Sequence, residues 1–361
     1  MFFIVSFLFL GLIFGYVEWR FVSLLMWPFW IKGIITLSLL PALFNLWIIL
    51  LYGNTLPSWV LKLFSGSLVL LVFLFAATFL TDMTRLFITV STILPKIIFF
   101  LCVGLSIFSV WNAAQLPYIK KITIETPLWQ SKMPLKIVQL TDLHIGQGFD
   151  GVWLQKVIDK TNKLNPDLIL ITGDLIDNSP KELGEEMKRL LSLKAKGGVY
   201  IVFGNHEAYH QENLWREFFK EIGLTVLQNE NISLTVNGQK IVLGGIDFGA
   251  NYREKEADKF LQKTFNGADE MALRLLLAHH PHVFKKASQY NVFLQLSGHT
   301  HGGMIFPVNL IVKLSNKGFL RGLYKNKESF LYVSDGTGLW GGFPARFGSF
   351  NEITLIDIVG K

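Results

Sequence analysis

Charge is almost missing from the first third of the chain. Across residues 1–119 only Glu18, Arg20, Lys32, Lys62, Asp82, Arg85 and Lys96 ionise near neutral pH, and the remaining residues hold 29 of the 34 Lys and Arg and 25 of the 27 Asp and Glu. So apolar a block cannot face water along its length. Three stretches, about 33–52, 64–81 and 96–115, approach the roughly 20 residues that cross a hydrocarbon layer. A fourth, 2–17, is shorter but uncharged. No basic residue precedes it and more membrane-like sequence follows, which argues against a cleaved leader. Residues 21–31 (FVSLLMWPFWI) combine aromatics with Pro28 and suit the headgroup boundary.

The expectation is an integral, multi-pass region of about four helices over residues 1–115. The positive-inside count is tied and leaves the side of the remaining chain open. Glu18 and Asp82 lie near predicted helix ends rather than mid-membrane, so the block reads as an anchor and not as a transport pathway.

Residues 116–135 read as a linker, and from Lys136 the pattern changes. Short β-branched runs alternate with polar, helix-like segments. Strands are expected at 136–141, 167–172, 198–203, 241–246, 273–278, 292–297, 330–334 and 352–358. Helices are expected at 151–164, 180–195, 211–222, 254–265 and 281–289. Such alternation predicts a sheet core covered by helices over 136–361. The single cysteine, Cys102, permits no intrachain disulfide. The net charge of +7 is thinly spread, so no nucleic-acid partner is expected.

Polar residues cluster where these apolar runs end, which is where α/β folds place binding groups. The loops are Asp142-Leu143-His144, Gly173-Asp174, Gly204-Asn205-His206-Glu207, His279-His280-Pro281 and Gly298-His299-Thr300-His301. Asp-x-His or Gly-Asp alone is ordinary turn chemistry. Gly-Asn-His-Glu is rarer, and two histidines one residue apart project to the same side of an extended segment. Together the loops offer carboxylate, amide and imidazole donors without thiolate. That mix suits Mn²⁺, Fe²⁺/³⁺ or Zn²⁺ in a reactive site better than a structural zinc. Asp177 reads as a turn residue, and His210 and His282 as solvated loop or helix-start histidines.

In this order the motifs resemble the calcineurin-like metallophosphoesterase superfamily, whose pattern runs D-x-H, G-D, G-N-H-D/E, H, G-H-x-H, and the match covers about 136–361. The runs LLLAHHP (275–281), SGHTHGG (297–303), YVSDGTG (332–338) and RFGSFNEITL (346–355) resemble its bacterial YkuE/YaeI-type, membrane-associated branch. The resemblance implies a four-layer α/β/β/α sandwich holding two divalent metal ions. One ion would take Asp142, His144, Asp174 and His301; the other would take Asp174, Asn205, His279 and His299, with Asp174 bridging. It further implies attack by a bridging hydroxide on a phosphodiester or pyrophosphate, with His206 as general acid and Glu207 as its orienting partner. His280 rivals His279 for the ligand position. The membrane block points to a phosphoester substrate that is amphiphilic or lipid-linked, with membrane lipids as neighbours; the oligomeric state is left open. The competing reading is a membrane protein whose phosphoesterase-like domain senses a ligand without catalysis.

Overall fold

The computed structural model describes residues 2–52, 56–146, 148–247 and 256–361. Contacts divide the chain into two compact units, Met1–Gln115 with Gly341–Gly348, and Leu116–Trp340 with Ser349–Lys361.

The first unit contains helices α1 (Phe2–Val17), α2 (Phe29–Tyr52), α3 (Ser58–Arg85) and α4 (Leu94–Ala113), with a π-helical turn at Glu18–Val22 extending α1. Three described stretches are long and apolar enough to cross a membrane: Val5–Val22, Trp59–Arg85 and Leu94–Ala113; Phe29–Asn45 is a shorter apolar helix. Pro41 lies inside α2, where proline ordinarily breaks the ladder of backbone hydrogen bonds. Here the Ser67 hydroxyl of α3 is inserted into that ladder. It accepts the Ala42 N–H at 3.0 Å and donates to the Ser38 carbonyl at 2.7 Å. The neighbouring helix thus satisfies polar backbone groups that apolar surroundings cannot. Asp82, near the end of α3, accepts hydrogen bonds from Tyr16 and Arg20, each at 2.8 Å. Gly341–Gly348 is held within this unit by Asn45 to the Gly342 carbonyl, Arg346 N–H to the Ser109 carbonyl, and Asn112 to the Arg346 carbonyl.

The second unit is built on two six-stranded sheets. One has the order β1 (Tyr118–Thr126), β12 (Glu352–Gly360), β2 (Leu135–Leu140), β3 (Leu168–Thr172), β4 (Val199–Val202), β5 (Thr225–Val226). The other runs β10 (Gly322–Asn326), β11 (Ser329–Val333), β9 (Leu294–Ser297), β8 (Leu273–Leu277), β7 (Gln239–Gly245), β6 (Glu230–Val236). Pairings are parallel except β12 with β2 and the β6–β7 and β10–β11 hairpins. Alternate side chains from both sheets, among them Ile137, Leu170, Leu243, Leu275, Leu296 and Ile356, meet in one buried cluster. The opposite face of β7 and β8 offers Val242, Leu276 and Ala278 to helix residues such as Leu261 and Ala287. Strands buried on both faces read as continuous apolar runs rather than alternating ones, which is why β3 and β8 stand out in the sequence.

Flanking helices are α5 (Gly151–Asn162), α6 (Pro180–Met187), α7 (Asn205–Tyr209), α8 (Glu212–Glu221), α9 (Ala257–Thr264), α10 (Phe284–Ala287) and α11 (Val308–Ser315). The sandwich of mixed sheets with flanking helices is the expected fold. Two expected helices are broken: 180–195 ends as a 3₁₀ turn at Lys188–Ser192, and 281–289 is α10 between 3₁₀ turns. The start of expected helix 254–265 lies outside the described residues. The stretch 116–135 contains β1, paired in parallel along its whole length with β12.

Candidate metal centre

Each sheet ends its central strands at the same cluster. β2 delivers Asp142 and His144, β3 delivers Asp174, β4 runs into Asn205 at the start of α7, β8 delivers His279 and β9 delivers His299 and His301. Five of these seven residues, Asp142, His144, Asp174, His299 and His301, have φ between 47° and 70°. Left-handed backbone costs a non-glycine residue ~1–3 kcal/mol unless its surroundings enforce it. Its recurrence here shows loops that turn back sharply to aim donors at one point. The motif glycines make room for them. A side chain at Gly298 would collide with Thr141 Oγ1 and Asp142 Oδ2, and one at Gly173 would meet the Gly204 nitrogen and His279 Nδ1, each at 2.7 Å.

Donor atoms of Asp142, His144 and His301 converge, as do those of Asp142, Asp174 and His279, and those of His279, His280 and His299. His279 Nδ1 donates to the Thr172 carbonyl at 2.7 Å, which turns Nε2 toward Asp174 Oδ2 at 3.1 Å. His144 Nδ1 is held by Asp177 at 2.8 Å, and its Nε2 faces His301 Nε2 at 3.3 Å. Asp174 Oδ2 is also 3.9 Å from His144 Nε2, so this carboxylate lies between the two halves of the cluster. His299 Nδ1 stands 3.1 Å from Asn205 Oδ1. Nitrogens and oxygens facing one another in a buried site are satisfied by a shared proton or by a cation between them. Burial alone would push the His279 ring down, yet the adjacent Asp174 carboxylate drives it up to about 9. The donor set therefore fits divalent cations.

Two expected roles need correction. Glu207 does not orient His206. Its carboxylate accepts three backbone N–H groups instead: Gly204 at 2.6 Å, Leu175 at 2.6 Å and Asp174 at 3.0 Å. It staples the Gly-Asp loop to the Gly-Asn-His-Glu loop. Neighbours i and i+1 on a helix point about 100° apart, so Glu207 cannot reach the ring beside it. The orienting carboxylate is Asp177, read from the sequence as a turn residue. Its Oδ1 meets His206 Nδ1 at 2.6 Å and His144 Nδ1 at 2.8 Å. Burial opposes its charge, but the two histidines hold the Asp177 carboxyl well below its usual range. Burial likewise opposes charge on His206, and Asp174 and Asp177 together raise it to about 10.

Of the doubtful histidines, His279 is the one aimed at Asp174. His280 is buried and stacks on His299 with ring centroids 3.7 Å apart. His282 packs against His280, and His210 against His206, so both are half-buried beside the centre rather than solvated. The signal that points to Asp177 is the need of each imidazole for an acceptor on its far nitrogen. Only this carboxylate follows Asp174 within the same loop.

A sandwich of mixed sheets here brings strand ends together at carboxylate and imidazole donors suited to metal ions. The chain belongs to the metallophosphoesterases: the family model described as calcineurin-like phosphoesterase matches residues 135–303. It is 35% identical over 76% of its length to an uncharacterized metallophosphoesterase of Campylobacter jejuni, of which the match covers 72%. A Helicobacter pylori metallophosphoesterase is 36% identical, with 66% of this chain and 64% of that protein covered. A Danio rerio protein named transmembrane protein with metallophosphoesterase domain is 34% identical, with 70% of this chain and 60% of that one covered. For the last two, the match spans less than two thirds of the relative.

Proposed function

We propose that the second unit hydrolyses phosphodiester or pyrophosphate bonds with two divalent ions, Mn²⁺, Fe²⁺/³⁺ or Zn²⁺. Asp142, His144, Asp174 and His301 would hold one ion; Asp174, Asn205, His279 and His299 would hold the other. The observation that carries this reading is the position of Asp174 Oδ2 between His144 Nε2 and His279 Nε2. Ions bound there would polarise a phosphoryl oxygen and acidify an attacking water. The chain's own residues do the rest. Backbone N–H groups of His299 and His206 fix the Asp142 and Asp174 carboxylates at 3.1 Å and 2.9 Å. His206 is not needed as a ligand, is held toward its protonated form by the neighbouring Asp174 and Asp177 carboxylates, and keeps 13% of its side chain open. It would give its proton to the departing oxygen.

Full-length protein in lipid nanodiscs, supplied with Mn²⁺ and an aryl phosphodiester, tests this. Two ions per chain are expected, with Asp174→Asn losing metal and turnover together. His206→Ala should retain both ions while kcat falls about 10²–10⁴-fold. Fewer than two ions in folded protein, or wild-type turnover in both variants, would sink the reading and favour a sensor domain. We further place the chain in a bacterial plasma membrane as a multi-pass protein with an amphiphilic phosphoester substrate. Support comes from three helices long and apolar enough to span, the shorter apolar helix Phe29–Asn45, and bacterial relatives.

A further inference from the structure

Helix α11 is unusual for a helix of a folded domain, because none of its residues is buried. Leu310 is 52%, Ile311 67% and Leu314 80% exposed, and Phe306 just before the helix is 49% exposed. On helical spacing Leu310, Ile311 and Leu314 share one side, with the exposed Lys313 beside them. An outward apolar stripe with cations at its margin is the pattern of a helix lying in a membrane interface. Charge selects the occupant. Residues 304–327 contain five Lys or Arg and no Asp or Glu. Lys317, which follows the helix, is exposed as well, and the exposed Arg321 lies 3.7 Å from the Asp335 carboxylate. Such a surface repels its own copy and attracts anionic headgroups, each cation contributing about 1 kcal/mol near an anionic leaflet. A bilayer is close at hand for a chain with three helices able to span one.

The helix is also fixed to the loop that carries His299 and His301. A side chain at Gly303 would meet the Asn309 Cβ at 2.5 Å, so the loop and the first turn of α11 touch backbone to backbone. The neighbouring Met304 carbonyl accepts from Ser349 at 3.2 Å. We propose that the exposed face of α11 docks on an anionic bilayer surface and brings the His299–His301 loop to headgroup level. The proposal concerns a surface and stands or falls apart from hydrolysis.

The test uses the full chain with Cys102→Ser, reconstituted in vesicles, carrying an environment-sensitive label at Leu314→Cys. Met271→Cys, at a position 91% exposed in the same unit, is the control. Brominated lipids should quench the Leu314 label strongly, and the Met271 label little, when phosphatidylglycerol is present. Pure phosphatidylcholine should quench weakly. Lys313→Glu combined with Lys317→Glu should lower the docked fraction, by about fivefold in docked-to-undocked ratio for each cation removed. A Leu314 label that stays in water with phosphatidylglycerol overturns the proposal. So does quenching indifferent to lipid charge, or a label that becomes protected in detergent as protein concentration rises, which would mark a protein–protein face.

Discussion

Asp177 presents a single oxygen to the Nδ1 atoms of both His144 and His206, so altering that carboxylate touches a candidate ligand and the candidate acid together. The raised value of His206 keeps the ring protonated below about pH 10, so an acid-dependent rate persists below that value and falls as pH rises through it. Asp177→Asn removes one of the two charges that hold the proton. The alkaline limb of kcat should therefore move to lower pH, and a pH–rate profile of both proteins checks this. A limb that does not move would separate Asp177 from proton transfer. A second expectation concerns leaving groups. A good leaving group needs little help from an acid, so His206→Ala should cost an alkyl phosphodiester far more rate than a p-nitrophenyl one. Equal losses for the two substrates would assign His206 to binding rather than protonation. The residues named in the five loops were legible because each ends a buried apolar run in donor side chains. The partnership of Asp177 was not, because it depends on two imidazoles meeting over a turn from separate loops. Glu207 departs from the sequence expectation because adjacency in sequence is not adjacency in space: its carboxylate turns to the backbone of Asp174, Leu175 and Gly204.

Ser67 shows what an element can borrow from its neighbour. Its hydroxyl accepts the Ala42 N–H and donates to the Ser38 carbonyl, one residue beyond Pro41. Ser67→Ala would strand a buried donor and acceptor, at a cost of about 1–3 kcal/mol. The thermal midpoint in detergent should drop; an unchanged midpoint would mean that α2 closes its own ladder when the hydroxyl is removed. Among strands, those buried on both faces were readable from composition alone. β6 alternates exposed and half-buried residues at a sheet edge, and β5 has two residues, so neither carries an apolar run. β1 alternates visibly in Tyr118–Thr126, but its lysines and its place before the first apolar strand made it read as a linker. Helices α7 and α11 are not among those the sequence pattern predicts; the others were legible as to existence and less so as to ends, as expected where the last turn tightens to 3₁₀.

At the scale of the whole chain the two units are not consecutive segments. Gly341–Gly348 belongs with the helices although Leu116–Trp340 separates them in sequence. A protein starting at Leu116 would lack Asn45, Ser109 and Asn112, the side chains and backbone that bond to Gly342 and Arg346. Hydrogen exchange across 341–348 should accelerate in that shortened protein relative to the full chain. If protection there is unaltered, the loop supports itself. The same arrangement orders events during synthesis. The four helices emerge first, yet their unit lacks the backbone groups that Asn45, Ser109 and Asn112 engage until the ribosome has passed Gly348. The helices must therefore wait for these partners while the whole of Leu116–Trp340 is made.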